Sequence, residues 1–276
     1  MKKKFIAAII ATGILFTFAS CTDKELPNDN NNNPQEEQSG DKGQQNNNEE
    51  MPAPEYNVRV TPITDTVTLK DTGDLIFTKT LEKMRVTALN EAYYGAAKNI
   101  TSVMNNSYER NELQADALKN SILESFTGED MIGLPWALEA KYDTISSSGK
   151  IVSFVEHIYY NAGGAYPTYM DFSYNFDAAT GKQLSLEDFL PLDDDEKTPF
   201  YDNLLREKLD QKYPDTVQDS FIQTNLIHIA VDTWMFTENG MKIWYNEQEI
   251  APHAAGKLEI ELTRDELPES ALAYLD

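Results

Sequence analysis

The chain has 276 residues, 41% of them hydrophobic, with 23 basic side chains against 46 acidic ones and a formal charge of −23. So acidic a polymer does not bind nucleic acid or anionic headgroups through nonspecific electrostatics; it draws in basic partners over about one Debye length, ~8 Å at physiological salt. A single cysteine excludes any disulfide framework within the chain.

The N-terminus opens on Lys2, Lys3 and Lys4, followed by an apolar run from Phe5 to Phe18 and then Ala19-Ser20-Cys21. The apolar run is too short to span a bilayer as a mature helix, and the pattern is that of a secretory signal at residues 1–20. Small residues before the lone Cys21 resemble the lipobox of a bacterial lipoprotein, with Phe18 where leucine is usual. The resemblance implies lipidation of Cys21, anchorage to a lipid bilayer and a cell-envelope location. Thr22 stands where an aspartate retains some lipoproteins at the inner membrane, which favours the outer membrane. An ordinary secretory signal with an incidental cysteine is the alternative. Loss of the three lysines leaves 20 basic side chains against 46 acidic. Residues 21–55, with "NDNNNNP" and "QQNNNEE", hold too little apolar surface to offset chain entropy and read as a disordered tether. As a flexible coil it spans roughly 30–35 Å.

Folding begins near Tyr56. "YNVRVTPITDTVTL" alternates as a strand, and Pro62 suits it to an edge. A turn at Asp71-Thr72-Gly73 precedes a second strand, "DLIFTKTL". From Val86 the period becomes helical, through Leu89, Tyr93, Ala96, Ala97, Ile100, Val103 and Met104. A second helical run carries Leu113, Ala117, Ile122, Leu123 and Phe126, and the polar "MNNSYERN" predicts a break between the two. Three strands follow, "WALEAKYDTIS", "KIVSFVEHIYY" and "TYMDFSYNF", the last closed by the turn "DAATGK". Ser185 and Asp188 cap a short helix. After the acidic loop Asp193–Glu196, Thr198-Pro199 starts a helix to Tyr213 with Phe200, Leu204, Leu205 and Leu209 inward. "DTWMFTENGMKIWYN" is a hairpin around Glu238-Asn239-Gly240, "KLEIEL" a further strand, and Thr263 with Glu266 a capping box. The pattern predicts an α+β fold, antiparallel sheet with helices packed on one face, in two intimately associated subdomains, 56–190 and 191–276.

No HExxH, paired CxxC, glycine-rich phosphate loop or GxSxG occurs. His157 falls in a strand and His228 in "NLIHIAV", both placed for structural roles. The acidic loop lacks the alternating ligand spacing of a calcium site. No catalytic set, metal or cofactor is expected.

Two stretches do carry a resemblance. "YYNAGGAYPTYMDFSYNFDAATGKQLSLEDFL" resembles a signature in which a Gly-Gly-Ala-His-Pro loop precedes "YNFDxxTGKxLxLxDlF". "FTENGMKIWYNEQEIAPHAAGKLEIELTRDEL" resembles "FxxTdeGlxfyFnpYeIAPYAaGxxxvxipyxeL". Together they are similar to the extracellular domain of the lysozyme-sensing anti-sigma factor RsiV and to the non-catalytic N-terminal domain of the peptidoglycan deacetylase PdaC. Tyr166 stands where that family has histidine, His253 where it has tyrosine, and Asn246-Glu247-Gln248-Glu249 replaces "NPYE". The reciprocal exchange predicts that the two loops touch, with Tyr166 and His253 within about 8 Å of each other.

The resemblance implies a binding edge made of Gly163, Gly164, Tyr166 and Pro167 from one loop and Tyr245, Ile250, Pro252 and His253 from the other. An anti-sigma role needs a retained membrane helix and a deacetylase needs a metal-binding catalytic domain; neither is read in this sequence. What it implies is a non-catalytic module on a lipid anchor, with a lysozyme-like basic muramidase as partner, as sensor, decoy or inhibitor. The alternatives are a peptidoglycan-binding module, with Trp136, Trp234, Trp244 and Tyr166 available to stack on sugars, a structural envelope lipoprotein, or a hydrolase without a recognisable motif.

Overall fold

A computed structural model describes residues 52–126, 134–147, 150–190 and 194–275. Residues 1–20, Cys21, most of the tether and Asp193 lie outside the described residues. The described residues all belong to one compact unit, Glu50–Asp276.

The first sheet has six strands in sequential order: β1 (Tyr56–Thr68), β2 (Leu75–Ala88), β3 (Trp136–Ser147), β4 (Ile151–Asn161), β5 (Thr168–Asp177) and β6 (Gln183–Leu184). All neighbours are antiparallel except β2 and β3. Parallel neighbours need a crossover, and helix α1 (Tyr94–Ser125) supplies it while packing on β2 and β3. Pro62 lies in the edge strand β1, where a missing N–H is tolerated. The second sheet is a meander of β7 (Trp234–Thr237), β8 (Gly240–Tyr245) and β9 (Leu258–Thr263), packed with α2 (Thr198–Lys212), α3 (Leu226–Ile229) and α4 (Glu269–Leu275). Mixed α and β elements in two largely antiparallel sheets agree with the predicted fold class.

Helix α1 departs from the sequence expectation. It is one 32-residue helix, unbroken through "MNNSYERN". Ser107 and Asn111 are polar but buried, and both donate to Glu156 on β4, at 2.9 and 2.6 Å. Ala96, Ala97, Ile100, Met104, Ser107, Tyr108, Asn111, Ala115, Leu118 and Ile122 therefore form one continuous stripe. Leu113 and Leu123, predicted inward, are instead 72% and 50% exposed, and Leu89 lies ahead of the helix at 65%. The predicted break mistook inward hydrogen-bonding residues for a solvated turn. In α2, likewise, Tyr201 is buried with Leu205 and Leu209, whereas Phe200 is 61% exposed.

Two hydrophobic cores result. One lies between α1 and the first sheet. The other gathers the second sheet with α2 and α3, and draws in Ile151, Leu184, Leu186, Phe189 and Leu190 from the segment before residue 191. Between them Val155 of β4 packs on Met235 and Trp244. The seam is also hydrogen-bonded: Asn175 donates to the Trp234 carbonyl at 2.9 Å, and the Trp234 N–H to Ser173 Oγ at 3.1 Å.

Candidate functional site

The strands β4 and β5 are joined by a loop whose shape follows from three residues. Asn161 donates through Nδ2 to the Pro135 carbonyl at 2.9 Å, and its Oδ1 accepts the Gly163 N–H at 3.1 Å. Gly163 has φ +77°, and a Cβ there would fall 2.1 Å from Nε1 of Trp136. Only glycine meets both demands. Gly164 is exposed and has no such constraint, its nearest atom being the Tyr166 carbonyl oxygen. Half-buried Pro167 leads into β5, and Tyr166 is left 72% exposed at the tip.

The second loop joins β8 to β9. Buried Asn246 holds its start: Oδ1 accepts the Asp171 N–H at 2.7 Å, Nδ2 donates to the Asp171 carbonyl at 3.2 Å, and its own N–H donates to Glu249 at 2.8 Å. Burial pushes the Glu249 carboxyl up, against the hydrogen bonds from Asn246. Pro252 precedes a single turn, His253–Ala255, which Gly256 ends at φ +67°. His253 Nδ1 lies 3.1 Å from Glu247 Oε2, although the pair is not aligned as a hydrogen bond.

The two loops meet. The rings of Tyr166 and His253 are 5.2 Å apart between centroids and inclined by 33°, inside the predicted limit. Not every residue assigned to the edge belongs there. Tyr245 is fully buried, with its hydroxyl donating to the Leu226 carbonyl at 3.3 Å, and Ile250 is 1% exposed in the second core. Both hold the loop from beneath and present no surface to a partner. Trp234 and Trp244 are buried too, so neither can stack on a sugar; Trp244 donates through Nε1 to the Asp171 carbonyl at 2.9 Å. Trp136 is half-buried under Gly163.

Beside these loops a cleft of about 570 Å³ opens on the first sheet. Its floor is built by register. Glu139 faces Tyr159, Lys141 faces His157, Tyr159 faces Tyr169 and His157 faces Asp171. The Tyr159 and Tyr169 rings lie 5.3 Å apart. His157 bridges two carboxylates, Nδ1 to Asp171 at 2.7 Å and Nε2 to Asp143 at 3.3 Å. Its hydrogen bond to Asp171 raises its pKa above the usual value despite burial. Asp171 also receives Lys257 at 2.6 Å. Burial favours protonated Asp171, but His157 and Lys257 outweigh it and hold the carboxyl below the usual range. Burial opposes the charge of Lys257, and its bonds to Asp171 and Glu259 raise it above the ordinary lysine range. The three side chains satisfy one another and clasp β4 and β5 to the segment entering β9.

Other expected features take structural roles. His228 hydrogen-bonds through Nδ1 to Asn225, the N-cap of α3, at 2.6 Å. Asp194, read as part of a solvated acidic loop, accepts the Glu196 and Lys197 N–H groups at the start of α2, and these bonds lower its pKa. Among the described residues no group of three or more His, Cys, Asp or Glu side chains is placed to hold a metal ion. The cleft floor was not singled out from sequence, yet counting outward from Gly164 pairs Tyr159 with Tyr169 and His157 with Asp171. Lys257 gave no such signal.

Residues 187–265 match the family described as Protein of unknown function (DUF3298). That span covers most of the second stretch that carried the sequence resemblance. Two crystal structures of DUF3298 family proteins are similar in fold. One, from Bacteroides fragilis NCTC 9343, aligns over 81% of this chain and 98% of its own with a TM-score of 0.63 and 12% identity. The other, from Pseudomonas aeruginosa PAO1, aligns over 79% of this chain and 96% of its own with a TM-score of 0.55 and 13% identity. At such identities the likeness is one of fold. No match was found among curated proteins.

Proposed function

We propose that the protein is a lipid-anchored component of the cell envelope that displays a non-catalytic binding module, and that the Tyr166–His253 edge docks a basic, lysozyme-like muramidase. The observation that carries the reading is the meeting of the two loops marked by the RsiV-like and PdaC-like resemblance. Their rings lie 5.2 Å apart while Tyr166 remains 72% exposed. A tyrosine backed by an imidazole on a hydrogen-bonded loop is a large contact surface with little freedom left to lose, the usual character of an interface anchor. The acidic surface adds steering of a strongly basic partner.

The test is calorimetric titration of the chain from Thr22 onward with an animal-type lysozyme at 50 and 300 mM salt. Binding that weakens with salt, and by about thirtyfold in Tyr166→Ala, is expected; ~2 kcal/mol is the usual loss at an anchor residue. Absence of binding at low salt, or an unaltered Tyr166→Ala variant, refutes the muramidase reading. A second reading, contact with the glycan strands of peptidoglycan, is favoured by the Tyr159–Tyr169 pair in the open cleft. It predicts pelleting with insoluble peptidoglycan that Tyr169→Ala abolishes and Tyr166→Ala leaves intact.

A further inference from the structure

A different groove, lined by none of the loop residues, lies between α1 and the β1–β2 ladder. It encloses about 760 Å³. The register places Arg59 opposite Arg85 and Thr61 opposite Lys83. Like charges directly opposed on a ladder destabilise it. From α1, Tyr94, Lys98, Thr101 and Asn105 recur at helical spacing along the opposite wall.

The charge of this groove runs against that of the whole chain. Its lining holds Arg59, Lys83, Arg85 and Lys98 and no acidic residue, in a protein with twice as many acids as bases. Among the described residues none of the four is ion-paired with a carboxylate. Lys79, four residues before Lys83 on the same strand, shows the contrasting structural use of a cation: it is buried and paired with Asp116 at 3.1 Å and Glu112 at 3.8 Å. Lys83 instead sits 5.1 Å from the centre of the Tyr108 ring. Asn105 Oδ1 is buried in the groove wall with no hydrogen-bond partner. That oxygen is closed off from solvent, so what the groove offers a ligand is cations and apolar surface, not this carbonyl. Tyr94 and Ile63, 56% and 37% exposed, offer apolar contact to the same space.

We propose that this groove is a binding site for a carboxylated oligosaccharide. Guanidinium groups take carboxylates in bidentate fashion, and the exposed ring of Tyr94 covers the apolar face of a pyranose. An acidic peptide or a phosphate polymer brings the anions but no flat apolar ring face to lie on Tyr94.

The experiment is titration of the chain from Thr22 onward with trigalacturonate, beside maltotriose, tripolyphosphate and triglutamate at the same ionic strength. The site binds trigalacturonate in preference to all three, and Arg59→Ala and Arg85→Ala each weaken that binding at least tenfold. Tyr94→Ala weakens trigalacturonate and leaves tripolyphosphate unchanged. Because Arg59 and Arg85 are exposed and mutually repulsive, either alanine variant retains or raises the melting temperature, which separates lost binding from lost folding. The proposal is overturned by absence of trigalacturonate binding, by equal or tighter binding of tripolyphosphate or triglutamate, or by indifference to the arginine substitutions.

Discussion

Glu156 is fully buried on β4, and Glu156→Ala is the substitution whose cost the structure defines best. The carboxylate accepts Ser107 at 2.9 and 3.0 Å, Asn111 at 2.6 Å, Tyr142 at 2.7 Å and Tyr174 at 2.9 Å, with Arg110 at 3.8 Å. Hydrogen bonds to a charged group contribute about 1.5–3 kcal/mol each. They would not all be lost on truncation. Ser107 and Tyr174 already lie 2.9 Å apart and Tyr142 is 3.2 Å from Ser107, so the three hydroxyls can re-pair. Asn111 cannot: its Oδ1 is already without a partner, and its amide would lose the 2.6 Å bond. A loss equivalent to about two charge-assisted bonds, ~3–5 kcal/mol, is therefore expected, in line with opening a buried ionic network. For a unit of this size that lowers Tm by roughly 6–20 °C. Urea unfolding followed by circular dichroism measures it, and a cycle with Asn111→Ala should show coupling above ~1 kcal/mol. Burial first, and the Glu156 charge second, push the Tyr142 and Tyr174 hydroxyls well above the ordinary tyrosine range. Removing the charge should bring both down, as read by ultraviolet titration. A loss below ~1 kcal/mol, or additivity with Asn111→Ala, would show that Glu156 does not tie α1 to the sheet.

Gly163→Ala requires both a strained φ and displacement of Trp136, so it should cost more than the ~1 kcal/mol of a tolerated glycine replacement and shift the tryptophan emission. Within α1, Leu113→Lys should change stability by less than ~0.5 kcal/mol, whereas Leu118→Ala should cost ~2–5 kcal/mol, as urea midpoints will report. The clasp predicts opposite edges in pH. His157, with its pKa raised in the folded state, contributes stability that is complete below its unfolded value of about 6.5 and is lost as pH rises through the folded one. Asp171, with its pKa lowered, contributes above about 3.9 and loses that contribution as pH falls through its folded value. Melting curves of His157→Gln should therefore lack the decline seen above pH 6.5 in the unaltered chain.

Features written in neighbouring residues are legible in the amino-acid sequence alone. The turn at Gly181, the Ser185–Asp188 and Thr263–Glu266 capping boxes, the Glu238-Asn239 hairpin and the proline-bearing edge strand all appear where the chain predicts them. Each depends on contacts a few residues apart, so a short window contains its cause. The contact of Tyr166 with His253 is legible for another reason, because the reciprocal exchange within the resembling motifs links two distant loops. The continuity of α1 is not. Ser107 and Asn111 look like turn formers until Glu156, 49 and 45 residues away, turns them inward.

The composition and order of the residues settle that an acidic chain carries a compact α+β unit with local caps and turns in place, since these follow from backbone preferences and polar periodicity. Which polar residues face inward, that Tyr245 and Ile250 support a loop rather than line an edge, and that four cations gather in one groove depend on tertiary packing. A side chain's surroundings there are supplied by strands and helices remote in sequence, and no local pattern records them.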